Sequence, residues 1–310
     1  MIEAINLIKK YGDYTAVNNV NINIKKGELF GLLGPNGAGK STIVSMISSV
    51  LIPDSGEIKI DQKTLKGNER EIKSIIGVVP QELALYETLN TKDNLRFFGS
   101  LYGLKGKKLN KRVEEVIDLI GLREKANQPV EEYSGGMKRR VNIGIALMHN
   151  PQIIILDEPT VGIDPQSRNH ILKTIKRLNK EKGITVIYTS HYMEEVEYLC
   201  NRIGIIDYGK LIALGTKEEL KNRTDACDVL QITYSNVDEE IVHKIENIQG
   251  VEKVAILKQS VKILINPKKR SAIDIVDELK KLGITITSFS YQEVNLETIF
   301  LQLTGKTLRD

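Results

Sequence analysis

Gly34-Pro35-Asn36-Gly37-Ala38-Gly39-Lys40-Ser41 sets glycines, a lysine and a hydroxyl at the spacing of a phosphate cradle. Glycines let the backbone turn so that N–H groups point at phosphate oxygens, and a helix starting near Ser41 adds its dipole. Lys40 would place a point charge on the β- and γ-phosphates, and Ser41 would offer its hydroxyl to Mg2+. Thr42, the next residue, joins the nucleotide-binding set. A second constellation completes the chemistry. The apolar run 153–156 ends in Asp157-Glu158-Pro159, and acids at the carboxyl end of a central strand stand where open α/β sheets bind ligands. Asp157 would hold Mg2+ through water, and Glu158 would orient and polarise the attacking water. Alone, the first motif is a glycine turn capping a helix and the second an acidic strand end. Together they imply an Mg2+-dependent nucleoside triphosphatase.

Which triphosphatase depends on Tyr133-Ser134-Gly135-Gly136-Met137-Lys138-Arg139-Arg140, just ahead of the helical run 141–148. Ser-Gly-Gly at a helix start is a second anion site on one chain. Here the sequence resembles the ATP-binding-cassette (ABC) family, whose signature is usually Leu-Ser-Gly-Gly-Gln, over about residues 1–220. The resemblance implies further roles, in the family's order. Tyr11 would stack on adenine, Gln81 would touch the metal site, Asp164 would belong to the D-loop, and His191 would meet the γ-phosphate. Without the family, Asp164 before Pro165 is a turn residue and His191 a helix cap. The signature departs from the usual pattern in having Tyr133 for leucine and Met137 for glutamine, while Ser134, Gly135 and Gly136 keep the phosphate donors.

Tyr-Ser-Gly-Gly-Met followed by three basic residues, and the C-terminal run from Asn295 to Lys306, resemble a subgroup of bacterial exporters of the multidrug, antimicrobial-peptide and sodium type. That resemblance implies ATP and Mg2+ as cofactors and an integral-membrane permease as a separate chain. It also implies a second nucleotide-binding subunit, expected to be another copy of this chain, with composite sites formed head to tail. Gln81 and the segment 82–101 would face the permease. In the C-terminal run, Leu296, Ile299, Phe300 and Leu303 recur at helical spacing, which core packing alone explains. A soluble ABC ATPase of translation or repair stays open as an alternative, although the chain has one cassette and no heptad run. So does a subunit that only binds nucleotide, because of Met137.

The elements that must position these residues follow from apolar patterning. Leu29–Leu33 and the runs 75–79, 153–156 and 185–188 read as buried strands. Residues 91–129 read as helical throughout, part of a helical subdomain at about 91–150, with Asn110 an N-cap and Gly121 a stop. Beyond the polar stretch 217–228 the order is strand 229–234, helix 239–248, strands 251–257 and 261–265, helix 272–282, strand 285–290 and helix 296–303. The expected fold is an α/β P-loop ABC cassette (a RecA-like core with a helical subdomain) at 1–220. A small ferredoxin-like α+β domain is expected at 225–310.

Composition agrees with two domains in 310 residues, of which 41% are hydrophobic and 27% charged. A net charge of +4 gives no case for nucleic-acid binding. Cys200 and Cys227 cannot form a metal site by themselves and point only weakly to a reducing compartment. Residues 1–12 lack the apolar run of a signal peptide, and no window reaches the ~18 apolar residues of a membrane span. The expected location is cytoplasmic, peripheral on the inner face of the membrane through the permease.

Overall fold

The computed structural model describes residues 1–224, 227–234, 239–257, 260–267 and 269–304. Gly305 and Lys306 of the C-terminal run, and residues 225–226 of the polar stretch, lie outside the described residues. In chain order, β1 (Ile2–Tyr11) and β2 (Tyr14–Ile24) make a hairpin, and β3 (Leu29–Leu33) runs through a glycine loop into α1 (Lys40–Ile47). β4 (Ser55–Ile60), β5 (Lys63–Thr64), α2 (Glu69–Ser74) and β6 (Ile76–Val79) follow. The next three helices are α3 (Thr91–Leu101), α4 (Gly106–Ile120) and α5 (Gly135–Leu147). After them come β7 (Ile153–Asp157), α6 (Pro165–Lys182), β8 (Thr185–Ser190), α7 (Met193–Leu199), β9 (Arg202–Asp207) and β10 (Lys210–Gly215).

The four runs read as strands from the sequence are β3, β6, β7 and β8. They lie in a six-stranded sheet of order β10-β9-β3-β8-β7-β6, parallel except for the pairing of β10 with β9. Every residue of β3 and β8 is buried, as expected of parallel strands covered on both faces. A second, antiparallel sheet has the order β2-β1-β4-β5. α1 joins the two: its Ile43, Val44, Met46 and Ile47 share one core with Ile2 and Val20 of the antiparallel sheet and Phe30 and Ile155 of the parallel one.

α3, α4 and α5 pack on one another. α4 buries Val113, Val116, Ile117 and Ile120 and stops at Gly121, whose φ of 65° few other residues adopt. Its start corrects the sequence reading. Asn110 is not the N-cap; the helix begins at Gly106, where the chain turns in from the extended backbone of Lys105, and Asn110 is an exposed residue in the second turn. The helical stretch from Thr91 is also broken, at residues 102–105, where Gly103 takes a φ of 81°.

Met1–Lys217 form one compact unit, and the described residues from Glu218 onward form another. The second contains all but the first residue of α8 (Lys217–Asn222), then β11 (Asp228–Tyr234), α9 (Glu239–Glu246), β12 (Val251–Leu257), β13 (Ser260–Ile265), α10 (Ala272–Lys281), β14 (Ile286–Gln292) and α11 (Leu296–Thr304). Its strands pair antiparallel in the order β12-β13-β11-β14. Ile245 of α9 and Ile275, Val276 and Leu279 of α10 pack with Leu230, Ile232 and Ile263. This is the βαββαβ ferredoxin-like arrangement.

Asp228 opens that sheet from a buried position, accepting hydrogen bonds from Tyr291 Oη (2.6 Å), the Val294 backbone N–H (2.9 Å) and Lys221 Nζ (3.0 Å). Burial pushes its carboxyl up, but these donors outweigh burial and hold it below its ordinary value. Asp228→Asn should therefore cost about 2 kcal/mol at neutral pH, measured by urea unfolding of the full chain. Because the folded pKa is depressed, this stabilisation is present above the unfolded value and lost as pH falls through the folded one. The gap between wild type and variant should close below about pH 4, and a gap that is constant with pH would refute the charge argument.

Candidate active site

β3, β8 and β7 end side by side at one cleft. Leu33 lies opposite Ser190, and Thr189 opposite Asp157. Parallel pairing thus delivers the glycine loop, the Ser190-His191 corner and the Asp157-Glu158 pair to the same edge of the sheet. The cleft encloses about 470 Å3, and Tyr11, Asn36, Gly37, Gly39, Lys40, Ser41, Thr42, Gln81, Glu158 and His191 all line it. Its size suits a small-molecule ligand.

Gly34, Pro35 and Ala38 are buried in the loop wall and act through their backbone. Lys40 Nζ donates to the carbonyl oxygens of Gly34 (2.8 Å) and Pro35 (3.1 Å). Gly39, immediately before α1, holds a φ of 104°, and a Cβ there would stand 2.5 Å from the Ala16 carbonyl oxygen. Both the dihedral angle and the space demand glycine.

Lys40 and Glu158 are both nearly out of water, and Lys40 Nζ lies 2.9 Å from Glu158 Oε1. His191 Nδ1 stands 3.4 Å from the same oxygen. Burial pushes the Glu158 carboxyl up; Lys40 and then His191 outweigh it and hold the carboxyl below its ordinary value. Lys40 therefore has internal partners, and any anion entering the cleft would compete with a carboxylate for its charge. Glu158 also has a φ of 46°, a left-handed conformation that costs about 1–3 kcal/mol outside glycine. Its backbone N–H donates to Thr189 Oγ1 (2.9 Å), and the same hydroxyl donates to Asp157 Oδ1 (2.6 Å). One threonine hydroxyl thus fixes both acids.

Sequence reasoning missed Thr189, because its role depends on a register between two strands 28 or more residues apart and not on any local spacing. It also missed Tyr14, which lines the cleft and donates from Oη to the Gly37 carbonyl oxygen (3.2 Å).

Ser134, Gly135, Gly136 and Asp164 do not line this cleft. Ser134 caps α5, its Oγ accepting from the Met137 backbone N–H at 3.4 Å, and both Ser134 and Gly135 are exposed. Asp164 caps α6, accepting from the Ser167 backbone N–H (2.9 Å), and is exposed. Gly136 is buried against α6; a Cβ on it would fall 2.2 Å from Ser167 Cβ. The two departures in the signature segment also have places. Tyr133 is buried with its hydroxyl bonded to Thr91 Oγ1 (2.9 Å) and the Lys125 carbonyl, which leucine could not do. Met137 supplies the backbone N–H that Ser134 caps.

The next turns of α5 hold the segment that follows β6. Arg139 is buried and donates to the carbonyl oxygens of Pro80 (2.7 Å) and Gln81 (2.6 Å). Lys138 pairs with Glu87 (2.7 Å), and Asn142 Oδ1 accepts from the Ala84 backbone N–H (3.3 Å).

Comparison with known proteins identifies the fold's relatives. An ABC transporter family model matches residues 17–161. Linearmycin resistance ATP-binding protein LnrL of Bacillus subtilis is 50% identical over 312 residues, spanning 100% of both chains. Nod factor export ATP-binding protein I of Ralstonia nicotianae is 32% identical over 304 residues, covering 98% of this chain and 94% of that protein. A solved dimer of an ATP-binding cassette in a post-hydrolysis state, bound to ADP and Pi, is 31% identical with a TM-score of 0.63, covering 70% of this chain and 98% of its own. The chain belongs to the ABC transporter ATP-binding proteins and is an ABC ATPase.

Two substitutions probe the cleft. Lys40→Ala should weaken binding of a fluorescent ATP analogue by about tenfold or more, and undiminished binding would count against a phosphate site here. With 0 tryptophans in the chain, the probe has to be extrinsic. Thr189→Val keeps the shape of the side chain and removes both hydrogen bonds; turnover should drop about tenfold with analogue binding retained.

Proposed function

We propose that this ABC ATPase energises export by a separate membrane permease, and that each ATP is held between two cassettes paired head to tail. The observation that carries the second half is the division of the motifs. Lys40, Glu158 and His191 line one cleft, whereas Ser134, Gly135, Gly136 and Asp164 are not among its lining residues. Ser134 and Gly135 sit exposed at a helix N-terminus, a natural anion site for another molecule's ligand. The dimeric cassette related to this chain supports the pairing. Export is supported by the names of the relatives, one conferring linearmycin resistance and one exporting Nod factor. No helix among the described residues is long and apolar enough to cross a membrane, so the transmembrane path would belong to the permease, with the cassette on its cytoplasmic side.

In this reading Tyr11 stacks on the adenine, and the backbone N–H groups around residues 36–42 receive the phosphates. Lys40 exchanges its Glu158 contact for the β- and γ-phosphates. Glu158 then accepts a proton from the attacking water, and His191, beside it, contacts the γ-phosphate. Ser41, Asp157 and Gln81 would hold Mg2+, which shields the phosphate charge when bound. Among the described residues no three His, Cys, Asp or Glu side chains converge as metal ligands, and a site of few protein oxygens suits Mg2+, which keeps its waters and phosphate oxygens. Residues 1–220 would contain all of this chemistry, with 225–310 an accessory domain.

Glu158→Gln retains the contacts to nucleotide but polarises water poorly, so turnover should fall about 10²–10⁴-fold while binding survives. Size-exclusion chromatography with ATP and Mg2+ should then find a dimer, and a persistent monomer would reject the trapped pair.

Shared sites make a sharper prediction. Lys40→Ala and Ser134→Arg should each be inactive as homodimers. In a mixed dimer one site receives both lesions and the other none, so mixing should restore about half the activity per mixed dimer if the sites act independently. Mixed dimers that demonstrably form, with the permease present, and yet stay inactive would reject sharing between independent sites.

A further inference from the structure

The His191 corner is backed by a carboxylate that the chemistry above does not use. Glu195, on the first turn of α7, is 3% exposed. Its Oε2 accepts hydrogen bonds from Thr160 Oγ1 (2.7 Å), Tyr188 Oη (2.7 Å) and Ser190 Oγ (3.1 Å). Burial pushes the Tyr188 hydroxyl well up, so it stays a donor. These three hydroxyls come from the residue two after Glu158, from β8, and from the residue just before His191. Ser190 Oγ in turn accepts from the Tyr192 backbone N–H (2.9 Å), closing the corner around His191.

Oε1, the other oxygen, faces α6. Arg168 Nε lies 3.3 Å away, yet among the described residues neither atom has an aligned hydrogen bond. A buried carboxylate oxygen left so is costly, and the pair is near enough that a small rotation of either side chain would complete it. Arg168 sits one turn into the helix that Asp164 caps, and its Nη2 lies 3.4 Å from the Ile163 carbonyl oxygen. Its guanidinium also covers the ring of Tyr192 (4.9 Å), which in turn packs on His191 (4.1 Å). Two routes therefore run from the residue before Asp164 to the imidazole, one through Glu195 and Ser190 and one through Tyr192.

We propose that Glu195 is a positioning residue for hydrolysis: through Arg168 it registers the loop bearing His191 against the segment bearing Asp164. Glu195 is not among the residues that line the cleft. The proposal rests on the assignment of Glu158 and His191 to the hydrolytic step. Since Oε2 takes all three hydroxyls, the link to α6 can be cut separately. Glu195→Gln can keep its oxygen on the hydroxyls and turn an N–H2 group toward Arg168, replacing attraction by donor against donor.

The test compares Glu195→Gln, Arg168→Gln and the double variant in steady-state ATPase assays on the full chain, with His191→Ala as reference and analogue binding and thermal melting alongside. Each single variant should lose about tenfold in kcat with KM and analogue affinity unchanged, and the double variant should lose no more than the worse single one. A wild-type kcat in Glu195→Gln, or single losses that multiply in the double variant, would overturn the proposal. Should Glu195→Gln melt early, Arg168→Gln decides, because its side chain is partly exposed: a wild-type kcat there also overturns the proposal. Full turnover by His191→Ala would overturn both the inference and the assignment beneath it, whereas an inactive His191→Ala beside a fully active Glu195→Gln would overturn the inference alone.

Discussion

Parallel register between β3, β8 and β7 decides where chemistry can occur in this chain. The pairs Leu33–Ser190 and Asp157–Thr189 bring a phosphate-type loop, a histidine and two acids to one edge of the sheet although they are far apart in sequence, and Glu158 and His191 reach the cleft itself. Side chains alternate across a strand, so a slip of one residue would turn the Thr189 hydroxyl to the opposite face and release both acids. The buried Lys40–Glu158 contact depends on the same register. Each charge is tolerated out of water because the other is there, and removing either leaves the remaining one uncompensated. The left-handed backbone of Glu158 is a further strain that the Thr189 bond and the Lys40 contact to its carboxylate hold in place.

How much of this the sequence disclosed depended on whether a feature is local. The glycine loop is local: each residue type answers to its own backbone or charge requirement, so loop, strand before and helix after can be read together. The apolar runs of β3, β7 and β8 are equally plain because both faces of those strands are covered. β1 escapes such a reading, since register shifts between Ala4 and Leu7 and on to Lys9 and Lys10 break the alternation that marks a half-buried strand. Asn110 misled because a good capping residue also lies comfortably on an exposed helix face, and the true start had no capping side chain to reveal it. Thr189 and Glu195 were invisible for a different reason. They are ordinary residues in a strand and a short helix, and their importance comes from what the fold brings to them.

The motifs that lie outside the Lys40 cleft are not thereby disconnected from each other. Gly136 admits Ser167 at a distance no side chain would allow, so the N-termini of α5 and α6 meet closely and present Ser134 and Asp164 as a single exposed ensemble. Glycine there serves packing as well as any exposed N–H group.

α5 also grips residues 80–87 from its second turn onward, through Lys138, Arg139 and Asn142. Arg139 is a buried cation answered by two main-chain oxygens and by no carboxylate among the described residues. The grip is made to main-chain atoms, so it does not depend on which side chains occupy positions 80 and 81. Position 87 is different, since its acid is matched to Lys138. Anyone grafting this segment into another cassette would therefore carry 87 and 138 as a couple, whereas Arg139 asks of the graft only two main-chain oxygens.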